Sequence, residues 1–182
     1  MIARTLAQPG LTLALFASIA AASLLPSAAQ AAQATATASG TVVTPIAITA
    51  AANLAFGSFA AGAGGTITVS TSGARTSSGV VALGASAAAA RFDITGSAST
   101  TYSISHSGTA VLTNTTGGGG ETMALAKFSD LTAGNATSGN VSSGTLDGAG
   151  AQSLFVGGTL TVGAAQVPGV YTGTVIATVE YN

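Results

Sequence analysis

Apolar and polar positions alternate with a period of two along most of this chain, and no amphipathic helical period replaces it after the N-terminal segment. The clearest stretch starts at Tyr171. There Tyr171, Gly173, Val175, Ala177, Val179 and Tyr181 share one face, while Thr172, Thr174, Thr178 and Glu180 lie on the other. Such alternation predicts a strand with one side in a core. Arg91–Thr95 predicts an interior strand with Phe92 and Ile94 inward. Thr101–Ser105 predicts its hairpin partner across the Gly96–Thr100 turn, with Tyr102 and Ile104 inward.

Shorter strands are expected around Ile46–Ile48, Leu54–Phe59, Thr66–Val69, Val80–Leu83 and Val111–Leu112. Met123 and Leu125 resume the pattern, and Ala126–Leu131 is read either as its continuation or as a helical turn. Leu154/Val156 and Leu160/Val162 flank Gly157-Gly158, a pair that suggests a tight turn or a bulge. Asn135–Gly150 is polar and glycine-rich, which predicts a long surface loop. These signals add up to an all-β chain of about eight or nine short strands. The expected fold is one two-sheet β-sandwich with Greek-key connections.

The chain begins differently. Arg4 precedes the apolar Leu11–Leu25, and Ala29-Gln30-Ala31 is a small-x-small cleavage site. Residues 1–31 are therefore read as a cleaved signal peptide, with Ala34 as the next candidate for the cut. Residues 32–44 form an N-terminal extension or candidate donor strand, and 45–182 the sandwich. Export to the periplasm, the cell surface or the medium is the expected localisation. The mature chain is expected to have no membrane segment.

Composition sharpens this. The chain has no cysteine, so no disulfide can brace it in an oxidising compartment. Charged residues make up 5% of the sequence, against about a quarter in ordinary soluble domains. A surface so poor in charge does little to keep sheet edges from pairing with neighbours, which suits a subunit that assembles through its edges. Four basic residues in the whole chain make no patch for nucleic acid.

No catalytic constellation is legible. His106 is the single histidine, with no cysteines or further histidines for a zinc site and no nucleophile-elbow motif for a triad. The acids Asp93, Glu121, Asp130, Asp147 and Glu180 are scattered singly. Asp147-Gly148-Ala149-Gly150 has a faint likeness to a calcium loop but lacks the further oxygen ligands. None of the glycine clusters is followed by Lys-Ser/Thr. No cofactor, no metal and no enzymatic activity are expected.

Two resemblances follow. TPIAIT (Thr44–Thr49), NLAFGSFAAG (Asn53–Gly62), SGAR (Ser72–Arg75), FDITG (Phe92–Gly96), LFVGGTLTVGA (Leu154–Ala164) and PGVYTGTVIATVEYN (Pro168–Asn182) resemble the family called domain of unknown function 4402. Its members are small secreted proteins of Gram-negative bacteria with no established activity. Gly169, which opens the last fourteen residues, and the next-to-last Tyr181 are similar to the C-terminal positions of chaperone–usher fimbrial subunits. ATATASGTVVTPI is similar to the N-terminal extensions of the cysteine-free alternate class of those subunits.

The second resemblance implies an immunoglobulin-like (pilin-like) β-sandwich lacking its last strand, which the extension of the next subunit supplies. It implies a chaperone and polymer interface at Gly169, Val175, Val179 and Tyr181. Ala34, Ala36, Ala38, Gly40 and Val42 would form the inserted face of the donor strand. The expected function is a non-enzymatic structural subunit of a surface fimbria or filament, partnered by itself and a periplasmic chaperone. The alternative is a self-complete secreted or periplasmic sandwich whose loops, Gly117–Gly120 and Asn135–Gly150, bind a glycan or another envelope component.

Overall fold

The computed structural model describes residues 31–182. The expected signal peptide lies, up to residue 30, outside the described residues. The chain divides into two units after Gly40. The described residues of the first unit, 31–40, are exposed and carry no regular secondary structure.

The second unit is all β. Its strands are β1 (Ala47–Ala52), β2 (Ser58–Ala60), β3 (Gly65–Val69), β4 (Arg75–Ser78), β5 (Val81–Leu83), β6 (Ala90–Thr95) and β7 (Thr101–Gly108). They continue with β8 (Val111–Asn114), β9 (Thr122–Asp130), β10 (Ser143–Thr145), β11 (Ala151–Val162), β12 (Tyr171–Thr172) and β13 (Val175–Tyr181). All pairings are antiparallel. The large sheet runs β1-β6-β11-β9-β8-β12, with β3 and β4 attached along the second half of β11. A three-stranded sheet, β10-β7-β13, opposes it, and β2-β5 forms a separate ribbon. This is a β-sandwich. Strands beyond the expected eight or nine are short edge pieces of two to four residues, such as β2, β5, β10 and β12.

Two apolar clusters form the core. One gathers Phe92, Ile94, Tyr102, Ile104, Leu154 and Val179; the other gathers Phe56, Ile67, Val69, Met123, Leu125 and Leu160. The inward faces expected for β6, β7 and β13 are the buried ones.

Four local expectations are corrected. Residues 91–95 and 101–105 do not pair as a hairpin. β6 pairs with β1 and β11, β7 with β10 and β13, so Gly96–Thr100 arches between sheets. Two strands whose apolar faces bury each other must lie in opposed layers, because hairpin neighbours only extend one face. Ala126–Leu131 contains no helical turn: β9 runs on to Asp130 because β11 supplies backbone partners along its length.

Gly157-Gly158 is neither turn nor bulge but the middle of the twelve-residue β11, in unbroken register with β3 and β9. These glycines are sites of close approach. Finally, the terminal stretch is two strands. β12 joins the large sheet and β13 the small one, the chain changing sheets at Gly173-Thr174.

Candidate strand-docking groove

A groove of about 1050 Å³ opens into the sandwich. Its floor is Leu112, Met123, Leu125 and Leu160 from the large sheet. One wall descends from Ala50 and Ala52 of β1 through Leu54, Phe56 and Phe59; the other runs from Gln166 to Val175. No charged side chain lines it.

Two strands along this side, β13 and β1, each have one edge unpaired among the described residues. β13 ends its sheet, paired only with β7. Thr109 N–H donates to Thr174 O at 3.0 Å and Asn182 N–H to Thr101 O at 3.4 Å, so even-numbered positions face β7. Antiparallel ladders alternate, so Val175, Ala177, Val179 and Tyr181 turn their N–H and C=O groups to the open edge. β1 likewise ends the large sheet. An unpaired row of this kind is a template for another strand.

The groove is closed at one end. Ile46 and Ile48 pack onto the cluster containing Ala177 and Val179. The Tyr181 hydroxyl donates to Thr44 O at 2.8 Å and accepts from Ser97 N–H at 2.6 Å. The segment leading into β1 and the end of β13 therefore meet at Thr44 and Tyr181, and the groove takes over where Ala50, Ala52 and Val175 line it.

The expected interface residues separate accordingly. Gly169 and Val175 line the groove; Gly169 sits against the Asn114 side chain, where a Cβ would collide. Val179 is buried in the core beneath the free edge, and Tyr181 makes the closing tether. Among the expected donor residues, Ala34, Ala36, Ala38, Gly40 and Val42 are all exposed, Val42 almost completely at 98%.

Sequence reasoning missed the residues that brace the walls. Among the described residues Arg75 has no acidic partner; its guanidinium donates to Phe56 O at 3.0 Å, Ser58 O at 3.4 Å, Leu83 O at 3.2 Å and also Gly84 O. It thereby fastens the wall strand β2 and its partner β5 to β4. On the other wall, the Tyr171 hydroxyl donates to Val167 O at 2.6 Å and accepts from Gln166 Nε2 at 2.7 Å. Asn114 Oδ1 accepts from Thr116 and Gly117 N–H, shaping the glycine loop next to Gly169. Only the isolation of an Arg and an Asn among uncharged residues hinted at them.

The remaining polar groups are engaged locally. Backbone N–H groups of Ala151 and Ala149 hold the Asp147 carboxyl below the usual carboxylate range. Glu121 is lowered by its own backbone N–H and that of Gly119. Asp93 is lowered first by its hydrogen bonds with Arg91, then by Ser153. Burial pushes the Lys127 ammonium down, where it donates to Ser107 O and Thr109 O at 2.8 and 3.0 Å.

His106 Nε2 lies 2.9 Å from Val141 O and 3.1 Å from Ser129 Oγ. Ser129 Oγ in turn accepts from Val141 N–H at 3.1 Å. With Nε2–H donated to a carbonyl, the ring offers this serine no basic lone pair, and the cluster pins the 139–141 loop onto β9. Among the described residues no group of three or more His, Cys, Asp or Glu could hold a metal ion, and no helix is long and apolar enough to cross a membrane.

Fold and groove together define a β-sandwich with an uncharged groove between its wall strands. Residues 46–181 match the family model described as Domain of unknown function (DUF4402), and the chain belongs to that family. No curated protein and no solved structure matches it.

Proposed function

We infer that the protein is a non-enzymatic structural subunit that joins copies of itself by strand donation, building a fimbria or filament after export. The donor is the N-terminal segment, residues 32–44, and the acceptor is the groove beside β13. The observation that carries this reading is the groove itself: uncharged, floored by Leu112, Met123, Leu125 and Leu160, and reaching Val175 of β13, whose outer edge is unpaired among the described residues. A strand laid there would pair with the backbone of β13 and face alternate side chains to the floor.

The donor's chemistry matches. Residues 32–44 carry no charge and alternate small residues with threonines before Val42. Alanine knobs bury little surface, whereas a valine contributes about 1.5–3 kcal/mol when fully buried. Backbone pairing along β13 would therefore carry much of the affinity, with Val42 the strongest side-chain anchor. A periplasmic chaperone would cover the groove until assembly, reaching Gly169 and Val175 at its wall.

Support for the glycan-binding alternative is thin. Sugar sites usually present free aromatic faces and hydroxyls. Here Tyr102 is buried, and the Tyr171 and Tyr181 hydroxyls are committed internally.

The test is a gel of surface-sheared protein run with and without boiling in detergent, for the full chain and for a chain lacking Ala32–Thr41. Multimers that collapse only on boiling, and that vanish with the deletion while export continues, are expected. Monomer in every lane, or multimers from the deleted chain, would sink the reading.

A further inference from the structure

The outside of the large sheet carries an ordered, uncharged surface behind the groove floor. Leu125 and Leu160 face the groove, so their neighbours Ala124, Ala126, Thr159 and Thr161 turn to the other side of the same two strands. Across the ladders these neighbours fall into two ranks. One runs Ser78–Thr66–Thr161–Ala124–Val111 over β4, β3, β11, β9 and β8. The other runs Thr76–Thr68–Thr159–Ala126 over the first four of these strands. All nine residues are exposed or half-buried, none is charged, and none is larger than valine. Arg91, Asp93 and Asp130 pair with the first half of β11, whereas the ranks cross its second half. Lys127, next to Ala126, turns away to Ser107 O and Thr109 O.

Three properties suit this surface to another like it. Two uncharged copies meet with no like-charge repulsion and no ion to strip of water. Their short side chains let the sheets approach closely, as in dry stacked sheets. At the centre of the second rank the Thr68 and Thr159 hydroxyls bond each other at 2.8 Å, so both stay paired when water leaves.

The area decides what kind of partner is held. Nine positions on a grid of about 4.8 by 6.7 Å cover roughly 300 Å². Two such faces together bury roughly 600 Å², half of the about 1,200 Å² at which stable pairs begin, so isolated subunits stay apart. Along a filament the same face recurs in every subunit, and each contact raises the effective concentration for the next.

We propose that this outer surface of β4, β3, β11, β9 and β8 packs filaments side by side, each against the same surface of a second copy of this chain in a neighbouring filament. The inference rests on the strand-donation reading for the filament itself. It concerns a separate surface, because a strand in the groove would cover the inner side of these strands and leave the outer side bare.

The test compares sheared filaments of the full chain by electron microscopy and low-speed sedimentation. The parent should form side-by-side bundles that pellet. Thr161→Lys combined with Ala126→Lys, both at exposed positions, should give single filaments and roughly tenfold less pelleted protein. Thr76→Glu with Ser78→Glu, on exposed positions of the edge strand β4, should do the same and decides the matter if the lysine pair fails to fold. Ser105→Lys with Thr178→Lys, exposed partners on the small sheet, should bundle like the parent. Single filaments from the parent, bundles from the charged variants, or equal dispersal by the small-sheet pair would overturn this inference and leave strand donation standing. No filaments from the parent would overturn both.

Discussion

The ring of Phe128 on β9 packs against the bare Cα of Gly157 on β11, its direct partner across the ladder. A Cβ at Gly157 would meet both that ring and the Val69 carbonyl. The aromatic ring occupies the space that a side chain on the central strand would need.

Gly157→Ala should therefore cost about 1–3 kcal/mol, the usual range for overpacking a filled core. Gly119→Ala, where nothing lies within 4 Å of the added carbon, should stay within about 0.5 kcal/mol. Urea midpoints of the two variants check the contrast; equal midpoints would mean that β9 and β11 adjust freely.

Arg75→Ala removes a cation from four carbonyl oxygens of the groove wall. Hydrogen bonds to a charged group contribute about 1.5–3 kcal/mol. A stability loss in that range is expected, together with faster hydrogen exchange confined to β2 and β5. Arg75→Lys should recover only part of it, because an ammonium lacks the fork that spans both strands.

Tyr102→Phe should leave stability unchanged or raise it by about 1 kcal/mol. The Tyr102 hydroxyl is buried against the backbone of Gly144, without a hydrogen-bond partner among the described residues. A buried unsatisfied hydroxyl is a cost, so its removal relieves one. Thermal denaturation of the variant decides it, and a clear fall in Tm would reveal a partner for that oxygen.

The pH dependence follows from Asp93, Glu121 and Asp147, all held below the usual carboxylate range. For such groups the unfolded chain binds protons first as pH falls. Their contribution is complete above the ordinary carboxylate pKa of about 4 and disappears as pH drops through the lower folded values. Denaturation midpoints should be flat near neutrality and fall in acid. Asp147→Asn keeps an acceptor for the Ala149 and Ala151 N–H groups but no titration, so its acid limb should be shallower.

Much of the sandwich was legible from alternation alone. Phe92, Ile94, Tyr102, Ile104, Val175, Ala177, Val179 and Tyr181 are inward as their spacing requires, because a strand at one core–solvent boundary must place every second residue in the core. Pairing was less legible. Residues 91–95 and 101–105 look like a hairpin locally, since the sequence of an arch and that of a turn both show small polar residues between two apolar strands. The glycines at 157 and 158 misled for a related reason: a turn and a close approach both call for the smallest residue.

The all-β class, the inward faces and a charge-poor surface were readable from the chain, because each depends on residue type at short spacing. Where the sheets end, and what meets across them, depends instead on how the two layers close. The groove exists because β12 and β13 part into different sheets and β13 lacks an outer neighbour. Arg75 reaches carbonyls of Phe56 and Gly84, and Tyr181 reaches Thr44, 137 positions away. Such contacts join residues remote in sequence, and no local period encodes them; they arise only once the two layers close over a shared core.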